Sequence, residues 1–286
     1  PVVEEGRQAR LETPAATAGL RVGWESCAVS SYGVIGVGSI AAAMVVGWCD
    51  GVGDAPEVVL SPRNAERSAE LAGRFPTVRV ATDNQAVVDA ADVVVVCLLP
   101  GNAAEVVSGL TFRPDQAVVS AVAGIDVAHL RQVVAPASQV ARSVPLPAVA
   151  TRDSVTPVHP GGAAVEELFG RLGGSLVVDD ELAFESIAAA SATVAAYFGY
   201  LGAVAGWLGS RGIPEDGARR YVAATFAALA GELGAPDPDF AALADAHATP
   251  GGLNEQFARD LGAAGVYDAV RDGLDAILVR LVGSAD

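Results

Sequence analysis

From Tyr32 onward the chain alternates short apolar runs with stretches of helical period. Residues 33–37, Glu57–Leu60, Val78–Val80, Val93–Leu99, Ala117–Val122 and Gln139–Val144 read as strands, and Ser175–Val178 adds one more at the edge of the set. Between them Ser39–Trp48, Ala65–Arg74, Asn84–Ala91, Ala103–Leu110 and Val127–Val134 read as helices. Strands alternating with helices predict a doubly wound α/β layer, a parallel sheet covered on both faces. After Asp180 the strand signals stop. Helical segments fill 181–208, 214–233, 237–247 and 254–282, the last broken near Gly262 and Gly265. Pro214 opens one of them, and Glu215 and Asp216 stand in its first turn, where the helix dipole favours acids. Pro236-Asp237-Pro238 and Thr249-Pro250-Gly251-Gly252 punctuate the rest. The expected division is an extension over 1–30, an α/β domain over 31–180 and an all-helical domain over 181–286.

The helical part carries one long uncharged run, 186–208. Its length raises the possibility of a membrane span. Its makeup argues otherwise: alanine and glycine dominate, with serine, threonine and two tyrosines among them. Acids, namely Asp179, Asp180, Glu181 and Glu185, precede it where basic anchors would be wanted. The run is read as a helix covered on all sides within a soluble assembly, which predicts a homodimer formed through the C-terminal helices.

Composition narrows the chemistry. The 286 residues are 51% hydrophobic and 18% charged, enough for a sizeable core and too apolar for disorder. A net charge of −16 leaves no basic stripe for nucleic acid and nothing to attract an anionic membrane surface. No lysine occurs, so a lysine Schiff base and a Walker-A phosphate loop are both excluded. His129, His159 and His247 are far apart and without ligand spacing, so no metal site is expected. Among these, His159 reads as a loop residue ahead of Pro160-Gly161-Gly162. Cys27, Cys49 and Cys97 form no framework, and Cys97 reads as a small buried residue, so a reducing cytoplasmic setting is expected. Residues 1–10 carry acids and lack the positive leader of a signal peptide.

The strongest local signal is Gly36-Val37-Gly38-Ser39-Ile40-Ala41, which follows a strand and opens a helix. The first glycine permits the tight turn, the second lets the backbone approach a diphosphate, and Ala41 keeps the helix close to the strand. A helix N-terminus with free N–H groups then holds the anion. The strand–turn–helix context makes this a Rossmann dinucleotide site, with Gly36, Gly38, Ser39 and Ile40 against the cofactor. At the tip of the second strand stand Leu60-Ser61-Pro62-Arg63-Asn64. No acid is present to hold a ribose 2′-hydroxyl. Arg63 can instead pair with a 2′-phosphate, and Ser61 and Asn64 can donate hydrogen bonds to it, so NADP is expected rather than NAD.

From these motifs onward the sequence resembles pyrroline-5-carboxylate reductases, over roughly Tyr32 to Leu281. Those enzymes reduce a cyclic imine to proline with NAD(P)H. The resemblance is carried by the glycine turn, by Ser61-Pro62-Arg63-Asn64, by Val93-Val94-Val95-Val96-Cys97-Leu98-Leu99-Pro100, and by Val119-Ser120-Ala121-Val122-Ala123-Gly124-Ile125. It continues through Ala141-Arg142-Ser143-Val144-Pro145-Leu146-Pro147, similar to the family's Arg-x-Met-Pro-Asn-x-Pro, and Thr249-Pro250-Gly251-Gly252, similar to its Pro-Gly-Gly. The resemblance implies that Cys97, Leu98, Leu99 and Pro100 line the adenosine side of the cofactor and that Ala123 and Gly124 approach the nicotinamide. It implies a substrate site drawn from Ser143, Pro145, Gly251, Gly252 and Asn254, a place in proline biosynthesis, and dimers whose C-terminal helices interlock.

The departures gather at the substrate site. Leu146 replaces the asparagine between the two prolines. The family's Gly-x-Gly-Pro-Ala-Tyr appears as Ala192-Thr193-Val194-Ala195-Ala196-Tyr197, and Leu253 and Asn254 stand where the family has two threonines that help bind the substrate carboxylate. Each missing charge-assisted hydrogen bond costs a carboxylate about 1–3 kcal/mol. The substrate is therefore expected to be pyrroline-5-carboxylate or a related cyclic imine of less acidic character. Hydride comes from the cofactor, and Tyr197 and Thr193 are the candidates to orient the substrate or supply a proton. Two rivals stand beside this reading: a deazaflavin-dependent NADP reductase, which shares the first domain, and a non-catalytic NADP-binding protein, which the lost polar residues favour.

Overall fold

The computed structural model describes residues 31–234 and 237–283. The expected extension 1–30, with Cys27, lies outside these residues, as does Pro236. The strands are β1 (Ser31–Ile35), β2 (Glu57–Leu60), β3 (Val78–Val80), β4 (Val93–Val96), β5 (Ala117–Ser120), β6 (Gln139–Ser143), β7 (Thr156–His159) and β8 (Ser175–Val177). They form one sheet in the order β3-β2-β1-β4-β5-β6-β7-β8. The first six pair in parallel, β7 runs antiparallel to β6, and β8 is parallel to β7. The helices of this part are α1 (Ser39–Cys49), α2 (Ala65–Arg74), α3 (Asn84–Asp89), α4 (Pro100–Ser108), α5 (Val127–Val133) and α6 (Ala163–Gly170).

The runs of valine exist because both faces of the sheet are buried. Side chains of a strand alternate between faces, and the two cores divide accordingly. Tyr32, Val34, Val58, Leu60, Val93, Val95 and Val119 pack with Met44 and Trp48 of α1 and Leu168 and Phe169 of α6. Ile35, Val59, Val94, Val96, Val118 and Val140 pack on the other side with Val87 and Val88 of α3, Val107 of α4 and Leu130 of α5. The Trp48 indole N–H donates to the carbonyl of Leu168 at 3.2 Å, tying α1 to α6. Ala41 is fully buried beneath the start of α1.

Two elements depart from expectation. His159, expected in a loop, ends β7, where it is 9% exposed and pairs in register with Arg142. Pro157 and Pro160 disguise this strand. Pro157 has no N–H to give, yet its carbonyl accepts from Val144, and a proline survives in a sheet where its missing donor is not needed. Helix α6 is the other. Its buried Ala164, Val165, Leu168 and Phe169 follow helical spacing, so the signal was present in the sequence.

Beyond β8 all elements are helical: α7 (Glu181–Ala190), α8 (Thr193–Ser210), α9 (Glu215–Leu229) followed by a 3-10 turn over Ala230–Gly234, α10 (Phe240–His247), α11 (Leu253–Ala263) and α12 (Val266–Val282). The expected continuous helix 181–208 breaks at Ser191–Ala192, and the segment 254–282, expected to break near Gly262 and Gly265, does so at Ala264–Gly265. The stretch Glu181–Ser210 is long and apolar enough to cross a membrane by length and composition alone. Its first half does not lie free: Phe184, Glu185 and Ala189 of α7 are buried. In α8, by contrast, no residue is buried within the single chain.

Candidate active site

In an open α/β sheet, ligands lie beyond the carboxyl ends of the strands where the strand order reverses. Here the reversal falls between β1 and β4, so the loops after them face each other across a crevice. The loop after β1 is built for a close approach. Gly36 has φ +91, and a Cβ placed on it would stand 2.5 Å from the Cys97 carbonyl oxygen and 2.8 Å from the Leu98 side chain. Its N–H donates to Ser61 Oγ at 3.0 Å. Gly38 differs: a Cβ there would meet nothing within 4 Å, and it precedes α1 without any side chain capping the helix. No side chain takes up the first N–H groups of α1, at Ser39 and Ile40, which leaves them for an anion.

The residues after β2 divide their work. Ser61 is 1% exposed, and its hydroxyl serves as acceptor for Gly36 while its carbonyl accepts from Ser68 Oγ. In accepting from the Gly36 N–H, Ser61 is a buried brace for the glycine turn. Asn64 Nδ2 donates to the Val37 carbonyl at 3.0 Å, a second brace. Arg63 is exposed and, among the described residues, engaged in no ion pair, so its guanidinium is available to an anion beside the turn. After β4, Cys97 lies under the turn, and burial pushes its thiol up to about 12, so it acts as a neutral packing group. Leu98 is half-buried, while Leu99 is 75% exposed and Pro100 begins α4. After β5, Ala123 is exposed and Gly124 takes φ +75. These donors and openings fit a dinucleotide: an uncapped helix end for the diphosphate, a free arginine for a further phosphate, and apolar rims on the β4 and β5 side.

Past β5 and β6 the carboxyl edge holds a cavity of about 140 Å³. Ile40 of α1, Ala123, Ser143, Pro145, Phe184 of α7 and Leu281 of α12 lie on its walls, together with Arg142, Glu185 and Ser191. Ser143 is 4% exposed and its hydroxyl donates to the Ser120 carbonyl at 3.3 Å. The charged part of the wall is the buried pair Arg142 and Glu185, and the partly exposed Glu181, off the cavity wall, adds a second carboxylate to Arg142. Arg142 Nη1 lies 2.6 Å from Glu185 Oε1 and 3.1 Å from Glu181 Oε1, and the Arg142 guanidinium stands 4.8 Å over the Phe184 ring. Glu181 also accepts from the Val127 N–H at 3.1 Å. His159 stacks 5.9 Å from Phe184, with Nδ1 2.7 Å from the Val178 carbonyl, so Nδ1 carries the hydrogen of that bond. Arg142, Glu181 and Glu185 were not singled out as site residues from the sequence. The pairing joins positions 39 and 43 residues apart and has no local signature.

The other candidates lie elsewhere in the single chain. The Thr193 hydroxyl donates to the Ala190 carbonyl at 2.8 Å, and Tyr197 is 47% exposed with its ring beside Phe198. Neither is on the wall of the 140 Å³ cavity. Gly251, with φ +72, donates its N–H to Glu255, and Gly252 precedes α11. Asn254 Nδ2 donates to the His247 carbonyl at 2.9 Å. Asn254 lies on a separate apolar groove of about 760 Å³, with Tyr200, Trp207, Phe226 and Phe257. Ser143 and Pro145 thus share one cavity, while Asn254 belongs to another.

A family model described as NADP oxidoreductase, coenzyme F420-dependent, matches residues 31–124. A pyrroline-5-carboxylate reductase of Pseudomonas aeruginosa is 29% identical over 257 residues, covering 86% of this chain and 93% of that protein. Among solved structures, 1-pyrroline-5-carboxylate reductase from Streptococcus pyogenes is 25% identical, with a TM-score of 0.74 over 88% of this chain and 97% of that one. The pyrroline-5-carboxylate reductase from Coxiella burnetii, 21% identical, shares the fold with a TM-score of 0.77 over 90% of this chain and 99% of its own.

Proposed function

We propose, from the premise that this chain is a divergent member of the pyrroline-5-carboxylate reductase family and an NAD(P)H-dependent oxidoreductase, that it uses NADPH to reduce the C=N bond of a cyclic imine. The observation that carries the reading is the uncapped start of α1 at Gly38, facing the cavity-lined carboxyl edge of β5 and β6. Gly38, Ser39 and Ile40 would hold the diphosphate, and Arg63 a 2′-phosphate. When bound, the nicotinamide supplies the hydride. Ile40, Ala123 and Pro145 shape the cavity beside it and exclude water. Ser143 is spent on Ser120, so positioning rather than a strong acid is the protein's share, and an imine protonates readily in solution. The experiment is NADPH consumption with pyrroline-5-carboxylate and a panel of uncharged cyclic imines. Turnover of at least one supports the reading. A protein that binds NADPH and oxidises it with none of them overturns it and favours a non-catalytic NADP-binding protein.

Arg63 carries the choice of cofactor. Arg63→Glu should weaken NADPH binding by roughly 30-fold or more, the loss of one charge-assisted pair plus the added repulsion, and leave NADH binding within about twofold. Titration of both cofactors checks it, and equal losses would refute the assignment.

A second copy of the chain is part of the proposal. Helix α8, in which no residue is buried and Phe198 is 63% and Trp207 57% exposed, and the apolar groove beside it call for a protein cover. The buried charges of α7 argue against placing Glu181–Ser210 in a bilayer, where Arg142 and its glutamates would be drawn along. Such a homodimer is the means by which Thr193, Tyr197 and Asn254 could reach a substrate site. A single-chain sedimentation coefficient at micromolar concentration would contradict it. The free thiols of Cys49 and Cys97 suit a cytoplasmic setting.

A further inference from the structure

We infer that Leu281, at the end of the last helix, sets the size of the substrate: the cavity takes an imine of a single small ring, and the Leu281 side chain shuts out a second, fused ring. The inference rests on the imine-reductase reading and deepens it by naming the substrate class. Volume gives the first limit. The cavity at the carboxyl edge of β5 and β6 measures about 140 Å³. A dry apolar cavity of about 150 Å³ in another protein holds one benzene ring. One small ring therefore fills this space, and a fused pair exceeds it.

The lining is of a kind that sorts ligands by size. Each polar side chain on it already has a partner in the protein: Arg142 meets Glu185 at 2.6 Å, Ser143 donates to the Ser120 carbonyl, and Ser191 donates to the Ala188 carbonyl at 2.6 Å. The rest of the lining is apolar, with Ile40, Phe184 and Leu281 among its largest members. Close-packed walls of this sort give way to extra carbon atoms only by shifting side chains and backbone.

The place of Leu281 singles it out within this lining. A second cavity, of about 210 Å³, lies alongside, with Asp126, Leu182 and Val282 on its walls. Two residues line both spaces, Glu185 and Leu281, so these form the partition between them. Glu185 is 7% exposed and fixed by Arg142. Leu281 is half-buried and stands in the last turn of α12, which packs along α7, the helix of Phe184, Glu185 and Ala188. Cutting Leu281 back to a methyl joins the two spaces and leaves the ion pair in place. The neighbouring space then receives the second ring.

The test is calorimetric binding in the presence of NADP⁺, with piperidine as the single ring and tetrahydroisoquinoline as the fused pair. The wild-type protein should bind piperidine at least tenfold more tightly than tetrahydroisoquinoline. Equal affinities would overturn the inference without any variant. Leu281→Ala should raise the affinity for tetrahydroisoquinoline at least tenfold, with piperidine within about threefold and NADP⁺ within about twofold of wild type. Leu281→Phe, which adds bulk at the partition, should weaken piperidine at least tenfold and give tetrahydroisoquinoline no gain. A merely structural role would weaken both amines and NADP⁺ together in either variant, and that result, or an unchanged preference in Leu281→Ala, would overturn the inference. Failure of the imine-reductase reading shows differently, as absence of NADPH oxidation with every imine while the preference for the single ring remains.

Discussion

Gly36→Ala should both destabilise the fold and weaken NADPH binding by roughly 100-fold, whereas Gly38→Ala should weaken binding alone. At Gly36 the backbone sits at φ +91, which costs a residue with a Cβ about 1–2 kcal/mol. The new methyl would also stand 2.5 Å from the Cys97 carbonyl, a backbone atom of the β4 edge that cannot turn aside as a side chain could. The turn must move by close to an ångström, taking with it the Gly36 N–H bond to Ser61 and the N-terminus of α1. Losing one or two charge-assisted contacts to the diphosphate, at about 1.5–3 kcal/mol each, gives the factor of roughly 100. At Gly38 nothing lies within 4 Å of the added methyl, so the empty protein should unfold at an unchanged midpoint. The methyl would stand where the diphosphate must approach. Denaturant melts and NADPH titrations of both variants check the contrast, and a Gly36→Ala protein that binds NADPH normally would contradict the placement of the cofactor.

Arg142→Met carries the second large effect. Arg142 is 2% exposed, and its removal leaves Glu185 buried without a counter-charge and Glu181 without its ion pair. Breaking a buried pair by deleting one partner costs about 3–5 kcal/mol, most of it the stranded charge. The second substitution should therefore rescue the first: Arg142→Met with Glu185→Leu should recover at least half of the loss, because the buried charge is gone and Phe184 keeps an apolar neighbour. Chemical denaturation of the two single variants and the double variant measures this coupling. A single variant within about 1 kcal/mol of the parent would mean that water reaches the cluster and that Glu185 is not left as a stranded buried charge.

Those two predictions mark what the sequence could and could not reveal. The sheet was legible because strands buried on both faces must be apolar throughout, and Val93–Val96 has no other economical reading. The turn at Gly36 was legible because only glycine suits φ +91 against a carbonyl. Some helix starts were written in acids that cap them, as Asp180 does by accepting from the Ala183 N–H. Strand β7 was hidden because Pro157 and Pro160 imitate a loop, and what makes it a strand is the partner on each side. The cavity's charges were hidden for a related reason. Arg142 and Glu185 look ordinary in sequence, the first in a strand and the second near a helix start, and they acquire meaning only when β6 and α7 are packed together. Family resemblance pointed to Thr193, Tyr197 and Asn254 through motif order, yet order along a chain carries no distances. In the single chain none of these residues is on the wall of the cavity that holds Ser143 and Pro145.

The central claim is hydride transfer to a C=N carbon at the carboxyl edge of this sheet. The most direct measurement supplies NADPH deuterated at the transferable position of the nicotinamide, together with an uncharged cyclic imine, and analyses the amine by mass spectrometry and NMR. One deuterium on the carbon that had been doubly bonded to nitrogen is the predicted result. An amine without label, or an imine left intact while the protein holds its NADPH, would contradict it.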